Sequence, residues 1–396
     1  EPEVFTGGEL NPESELPWYS PWRVVTVGSL KAVSESTLGM DVAPKAIPLK
    51  STEWIRHGLA SWSWIILKDE SINYDTTRMY IDFAADMKWE YCLVDVNWDT
   101  RIGYERIKEL ADYAAAKNVK LILWYNSAGA WNTTPYHPRN MLLTREDRRK
   151  EFQKIRDMGI AGVKIDFFGG DGQSMIRYYI DILNDAADIG LLINFHGATL
   201  PRGWHRTYPH LMTAEAIKGQ EMVTFEQAFA NEQAAHVVTA VFTRNLFDPM
   251  DYTPMTLDSI PRIRRATTKT FELASPVMFL SGIQHLAESP YGMARQSEDI
   301  KNYLQNLPVH WDETRFLDGY PGKYVVLARR SGRQWYVVGM NGEKQAREVT
   351  ADLSFAGKGY IFEDVSHRES VKKEYTPTGV IKLPPNGGFV GVFEAK

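Results

Sequence analysis

From about residue 55 to 307, short apolar runs alternate with longer stretches in which apolar residues recur every three or four positions. A short apolar run bounded by turn residues suits a strand buried on both faces. An amphipathic stretch after it suits a crossover helix, so repetition of the two predicts parallel β-α units. Eight runs qualify: residues 59–64, 91–96, 120–125, 162–167, 191–195, 211–216, 237–242 and 276–281. The expected fold class is therefore α/β, a (β/α)8 TIM barrel. Helices are predicted over 102–117, 145–158 and 174–187; Thr144 with Asp147 three residues on has capping-box spacing, and Gly159 is a stop. The insertions 126–142 and 197–210 follow strands and carry Gly, Pro, Asn and aromatic residues, as active-face loops of a barrel do.

After about residue 307 the pattern changes to period-two segments at 324–329, 334–340, 348–352, 359–362 and 388–393, with turn pairs such as Ser331-Gly332 and Asn341-Gly342. These predict a small C-terminal antiparallel β domain. The expected organisation is a lead-in segment over 1–50, with a strand-like run at 22–27, a catalytic barrel over 51–307 and the β domain over 308–396. A length of 396 residues suits this division, since a barrel takes about 250 residues and a small module about 100.

Charge narrows the partners. The net charge of −5, with lysines and arginines dispersed among acids, offers no basic field for nucleic acid. No apolar run approaches the roughly 20 residues that span a bilayer, and no signal pattern opens the chain. Because the first residue is Glu1, a processed form or a fragment is expected. The single cysteine, Cys92, lies in an apolar run and is expected to be a buried hydrophobe. Twelve tryptophans, among them Trp62, Trp64, Trp98, Trp124, Trp131 and Trp204 near strand ends, suit the apolar C–H faces of sugars, although core packing explains each ring equally well.

Barrel enzymes place catalytic groups at the C-terminal ends of strands, so polar residues there are the candidates. Asp166 is the sharpest: in Gly162-Val163-Lys164-Ile165-Asp166, Lys164 and Asp166 share one face, and the lysine would keep the carboxylate ionised. A structural Lys–Asp pair filling the barrel is the alternative. Glu215 and Glu221 flank a short loop and could serve as proton-shuttling acid, as oxygen ligands for a hard cation, or as solvated surface residues. His196 could bond a sugar hydroxyl or orient a carboxylate, or be a satisfied core histidine. Asp95, Asn97 and Asp99 alternate on strand two as substrate-binding or barrel-filling groups, and Trp124 and Asn126 end strand three. The histidines lack zinc spacing. Gly169-Gly170-Asp171-Gly172 lacks the residues of a nucleotide loop and reads as a turn.

Together, Val163-Lys164-Ile165-Asp166-Phe167-Phe168, Asn194-Phe195-His196-Gly197-Ala198, Met212-Thr213-Ala214-Glu215 and Gly219-Gln220-Glu221, with Ser20-Pro21-Trp22-Arg23 before them, resemble glycoside hydrolase family 97. That family comprises exo-acting α-glycosidases with a calcium ion beside the sugar. The resemblance implies the retaining branch. Asp166 stands at the nucleophile position, while Asn126 and Gly197 occupy approximately the places where the inverting branch, mainly α-glucosidases, carries base glutamates. It further implies Glu221 as general acid/base and Glu215 and Glu221 as calcium ligands; Lys164, His196, Asn126, Asp95 and Trp124 are the expected substrate-binding residues. An α-galactoside is the expected substrate, with another α-glycoside or sugar binding without turnover as alternatives, and a periplasmic or secreted setting is expected. Family members carry an upstream β-sandwich that adds a glutamate to the calcium shell, and that domain is expected to be missing here.

Overall fold

The computed structural model describes residues 4–129 and 131–396. The chain folds as two compact units, one of Glu1–Val24, Gly39–Ala216 and Ser281–His285, the other of Val25–Leu38, Ile217–Leu280 and Leu286–Lys396.

The first unit is built on seven parallel strands among the described residues: β1 (Gly58–Trp62), β2 (Tyr91–Val94), β3 (Lys120–Asn126), β4 (Gly162–Asp166), β5 (Leu192–Phe195), β6 (Leu211–Ala214) and β7 (Ile283–Leu286). Their order, β6-β5-β4-β3-β2-β1-β7, is that of a TIM-like sheet curled toward closure. Gly282 joins its two ends. Its amide donates to the Met212 carbonyl of β6 at 2.9 Å, and its own carbonyl accepts from Gly58 at the start of β1 at 3.0 Å. A Cβ at 282 would lie 2.5 Å from the Met212 oxygen, so only glycine permits this approach.

The strands are apolar because they are covered on both faces; β1, β2, β5 and β6 are buried throughout. Crossover helices α1 (Tyr74–Asp86), α2 (Tyr104–Ala116), α3 (Arg145–Asp157) and α4 (Gln173–Ile189) lie between them in sequence. Local chemistry fixes their ends. Asn73 caps α1 through the Thr76 amide, and Thr144 caps α3 through the Asp147 amide, while α4 stops at Gly190 with φ 88°. Buried Asp185 of α4 ties it to α3, accepting from Arg148 at 2.6 Å and Arg149 at 3.1 Å.

Register then sets the interior. Trp124 pairs with Lys164, Lys164 with Asn194 and Asn194 with Thr213, while Asn126 pairs with Asp166 one step further along. Side chains in register on parallel strands share a face, so one rim of the sheet collects the polar residues.

The second unit contains helices α5 (Gln227–Val241) and α6 (Lys269–Met278) and two antiparallel sheets. The larger has the order β13 (Glu369–Tyr375), β12 (Ala356–Ser366), β15 (Gly388–Ala395), β10 (Gln334–Asn341), β9 (Tyr324–Ser331), β8 (Glu313–Tyr320). The smaller pairs β11 (Arg347–Thr350) with β14 (Val380–Leu383). Val326, Trp335, Val337, Ile381, Leu383, Phe389 and Phe393 form the core between them.

Two predicted barrel strands are corrected. Residues 237–242 belong to α5 and its end: the β-branched run continues a 15-residue segment whose first part is alanine-rich, and that length favours a helix. Residues 276–281 span the end of α6, all ten of whose residues are buried, so no polar face marks it as a helix; the strand of this region is β7. The run at 22–27 forms no strand. No helix among the described residues is long and apolar enough to cross a membrane.

Candidate active site

Asp166 ends β4 with its side chain 14% exposed, among neighbours that are almost fully buried. Its two oxygens are held differently. Oδ1 accepts from the Phe167 amide at 2.8 Å. Oδ2 accepts from Trp124 Nε1 at 3.3 Å and lies 3.9 Å from Lys164 Nζ. The turn carrying the carboxylate is pinned as well. Ser127 donates its amide to the Asp166 carbonyl and its hydroxyl to the Phe167 carbonyl, which also accepts from Asn132. Phe167 has φ 66°, a region costly for a bulky residue, so these bonds hold a strained turn that aims Asp166.

Lys164 is 2% exposed. Its ammonium lies 3.2 Å from Asp95 Oδ2 and 4.1 Å from the centre of the Trp62 ring. Asp95 is itself fixed: Oδ2 accepts from Trp62 Nε1 at 2.7 Å and Oδ1 from the Val96 amide at 2.8 Å. Trp62 and Asp95 thus hold the lysine by a cation–π contact and an ion pair, while its charge faces Asp166 from below. Lys164 thus fills the barrel interior through Asp95, with its ammonium 3.9 Å from Asp166 Oδ2.

Around this axis, the Trp62, His196 and His285 rings meet edge to face, with centroids 5.9 to 6.3 Å apart. Trp64 stacks on Trp62 at 6.1 Å, and Tyr136 lies nearly parallel to Phe167 at 6.4 Å. Asn194 is fully buried in register with Lys164, and neither atom of its amide has a hydrogen-bond partner among the described residues, which marks the interior as a place for water or a hydroxyl.

His196 is 1% exposed, with Nδ1 3.8 Å from Glu215 Oε1. The other oxygen of Glu215 accepts from the Gly197 amide at 2.9 Å. Gly197 packs directly against the carboxylate: at φ 47°, a Cβ there would lie 2.7 Å from Asp166 Oδ1 and 2.8 Å from the Phe167 nitrogen. Glu215 is a hard oxygen donor of the kind calcium takes, whereas the neighbouring imidazole suits softer ions.

Three expected residues take other positions. Asn126 is fully buried and spends its amide on its own loop, donating to the Tyr136 and Thr134 carbonyls and accepting from Ala128 and Asn132. Asn97 and Asp99 leave the face of Asp95 because β2 ends at Val94. Asn97 turns at φ 62° and accepts from the His137 amide, and Asp99 lies 3.7 Å from the His137 ring.

Glu221 belongs to the second unit, in the helical turn Gln220–Val223, with its amide donating to Thr253 Oγ1 at 3.2 Å. Beside it runs a buried polar network. Gln220 donates to Thr256, Gln233 donates to Gln220 and Glu272, and Glu272 accepts from the Thr256 amide and the Thr267 hydroxyl. Such a network, satisfied at so many points, fixes the turn that carries Glu221.

The structure also places Asn194 and His285 around Lys164 and Trp62, a grouping the sequence reading did not make. Trp62 was visible as a strand-end aromatic, and Asn194 as the residue two before His196. His285 was hidden by the misplaced last strand.

Comparison with known proteins agrees with this geometry. The description of glycoside hydrolase 97 matches residues 54–217, and that of the glycosyl-hydrolase 97 C-terminal, oligomerisation region matches 310–394, together more than half of the chain. A probable retaining alpha-galactosidase of Streptomyces bingchenggensis is 36% identical over 81% of this chain and 49% of its own length. A retaining alpha-galactosidase of Bacteroides thetaiotaomicron is 29% identical over 93% of this chain and 59% of its own length. A crystal structure of a beta-arabinopyranosidase superposes with a TM-score of 0.88 at 39% identity, covering 92% of this chain and 59% of that one. The chain thus spans about half to three-fifths of the length of these relatives. With the TIM-like sheet, the fixed aspartate at the end of β4 and both matched regions in place, the chain belongs to glycoside hydrolase family 97.

Proposed function

We propose that this chain carries the chemistry of a retaining exo-α-galactosidase, with Asp166 as nucleophile and Glu221 as general acid/base. The observation that carries the reading is the fixed state of Asp166: one oxygen is held by the Phe167 amide, the other lies toward Trp124 and the Lys164 ammonium, and a glycine stands beside it at 197. In the first step Asp166 Oδ2 bonds to the anomeric carbon as the glycosidic C–O bond breaks, and its electron pair leaves with the aglycone oxygen, which takes a proton from Glu221. In the second, Glu221 removes a proton from water, whose oxygen bonds to the anomeric carbon as the ester to Asp166 breaks. Lys164 sets a positive charge 3.9 Å from Asp166 Oδ2, and Asn194, His196 and Trp124 are the groups proposed to meet the sugar.

Calcium, where bound, would supply positive charge beside the sugar, and Glu215 with Glu221 are the residues proposed to hold it. Titration of the chelator-treated chain with calcium chloride in a calorimeter is expected to give saturable binding that weakens in Glu215→Gln. Absence of any binding heat in the unaltered chain would remove the ion from the proposal.

A second reading follows from the arabinopyranosidase relative. An α-D-galactopyranoside and a β-L-arabinopyranoside share ring configuration from C1 to C4 and differ in the hydroxymethyl on C5, so one nucleophile and acid can serve both. A panel of aryl α-galactoside, α-glucoside and β-L-arabinopyranoside, with the first-formed sugar followed by proton NMR, decides among them. Release of the α-anomer from the galactoside, before mutarotation, is the expected result. First release of the β-anomer would overturn the double displacement, and preference for the glucoside would overturn the sugar assignment.

A further inference from the structure

A cavity of about 230 Å³ lies wholly within the second unit and is lined by none of the residues assigned above, although Arg265 in its wall bonds the carbonyls of Thr256 and Thr267. Four segments form it: the loop from Leu257 to Arg265, the start of α6 at Lys269, residues Arg295 and Gln296, and the β12–β13 turn at His367 and Arg368. Its volume is below the roughly 300–1,000 Å³ usual for pockets that take whole small molecules, so it suits a compact group.

The walls are cationic. Arg265 and Lys269 are each only 9% exposed. Arg265 is locked in place by the Thr256 and Thr267 carbonyls, with no carboxylate within ion-pair distance among the described residues. Lys269 Nζ donates to Gln296 Oε1 at 2.7 Å, again with no carboxylate in reach among the described residues, which leaves two of its three protons unassigned. Burial first, and then the neighbouring Arg265 charge, push the Lys269 pKa down, while Glu288, Glu369 and Asp364 pull it up from beyond ion-pair distance. The Arg368 side chain, exposed on the turn, makes no hydrogen bond or ion pair among the described residues. Arg295 is already neutralised by Asp258. Glu369 is the one other acid in the wall, and Glu288 and Asp364 act on these cations from behind it, so Arg265, Lys269 and Arg368 line the cavity without an ion-pair contact of their own among the described residues.

An unpaired buried ammonium is costly, and a tetrahedral oxyanion would relieve it with charge-assisted bonds from Lys269 and Arg368. We infer that this cavity is a binding site for a phosphate- or sulfate-sized oxyanion, held by Lys269 and Arg368 with Arg265 supplying charge behind them. The group is either a free ion or an ester carried on a sugar.

Calorimetric titration of the whole chain with inorganic phosphate, inorganic sulfate, galactose 6-phosphate and galactose 6-sulfate, at ionic strength held constant with sodium chloride, tests the site. Saturable binding is expected, weakened about tenfold or more by Lys269→Met and by Arg368→Ala, each of which removes a charged donor. Glu369→Gln, which removes the opposing charge, is expected to tighten it. Tighter binding of the esters than of the free ions identifies a sugar ester as the ligand, and the reverse identifies the ion. Arg368 is on the surface, so its variant folds even if Lys269→Met does not. No saturable heat with any of the four anions, or binding unchanged in Arg368→Ala, overturns the inference.

Discussion

Asp166→Ala is expected to lower kcat on an aryl α-galactoside by roughly 10⁴-fold or more, the scale seen when a covalent nucleophile is removed. That corresponds to about 5 kcal/mol of transition-state stabilisation. The variant should fold, because Lys164 keeps its pairing with Asp95 at 3.2 Å and its place over the Trp62 ring, so no buried charge is orphaned. The shortened side chain leaves a space on the face of the sugar that the carboxylate occupied. Sodium azide is small enough to enter it and to attack the anomeric carbon, so turnover should return with azide concentration, and the product should be the β-galactosyl azide, of inverted configuration. Near-normal hydrolysis by Asp166→Ala without azide would show that another group bonds to the sugar.

That aspartate was legible in the sequence because a lysine and an aspartate two apart in an apolar strand have one face to share, and the strand was unmistakable. The first six strands were readable for the same reason: runs such as Tyr91–Val94 are buried on both faces and carry no helical period. Beyond residue 217 this signal fails. In α5 the run Val237-Val238-Thr239-Ala240-Val241 has strand composition but is the end of a long helix, and in α6 total burial erases the polar face that marks a helix. The strand that completes the sheet, β7, contains Gln284 and His285, whose polarity hid it. Lys164 could be placed beside Asp166 by alternation, but its grip by Trp62 and Asp95 joins strands 33 and 69 residues apart along the chain, a relation that only the register of the sheet creates.

Gly197→Ala tests the other half of the site, and its effect is expected on kcat more than on KM. The added methyl would meet Asp166 Oδ1 at 2.7 Å and the Phe167 nitrogen at 2.8 Å, distances that no Cβ tolerates, and both partners are themselves fixed. The backbone at φ 47° adds about 1–2 kcal/mol of strain for any residue with a side chain. Relief must come from moving the carboxylate or the strained Phe167 turn. A displacement of about 1 Å at a reacting group can cost about 100-fold in rate, which is the fall in kcat expected here. Binding of galactose, which does not depend on attack, should change far less. A glutamate, which the resemblance places near here in the inverting branch, would meet the same oxygen from its own Cβ onward, so side chains at 197 and the observed pose of Asp166 exclude one another. If Gly197→Ala keeps kcat within about twofold, the glycine is not what gives Asp166 its room, and the steric account of the retaining site is wrong.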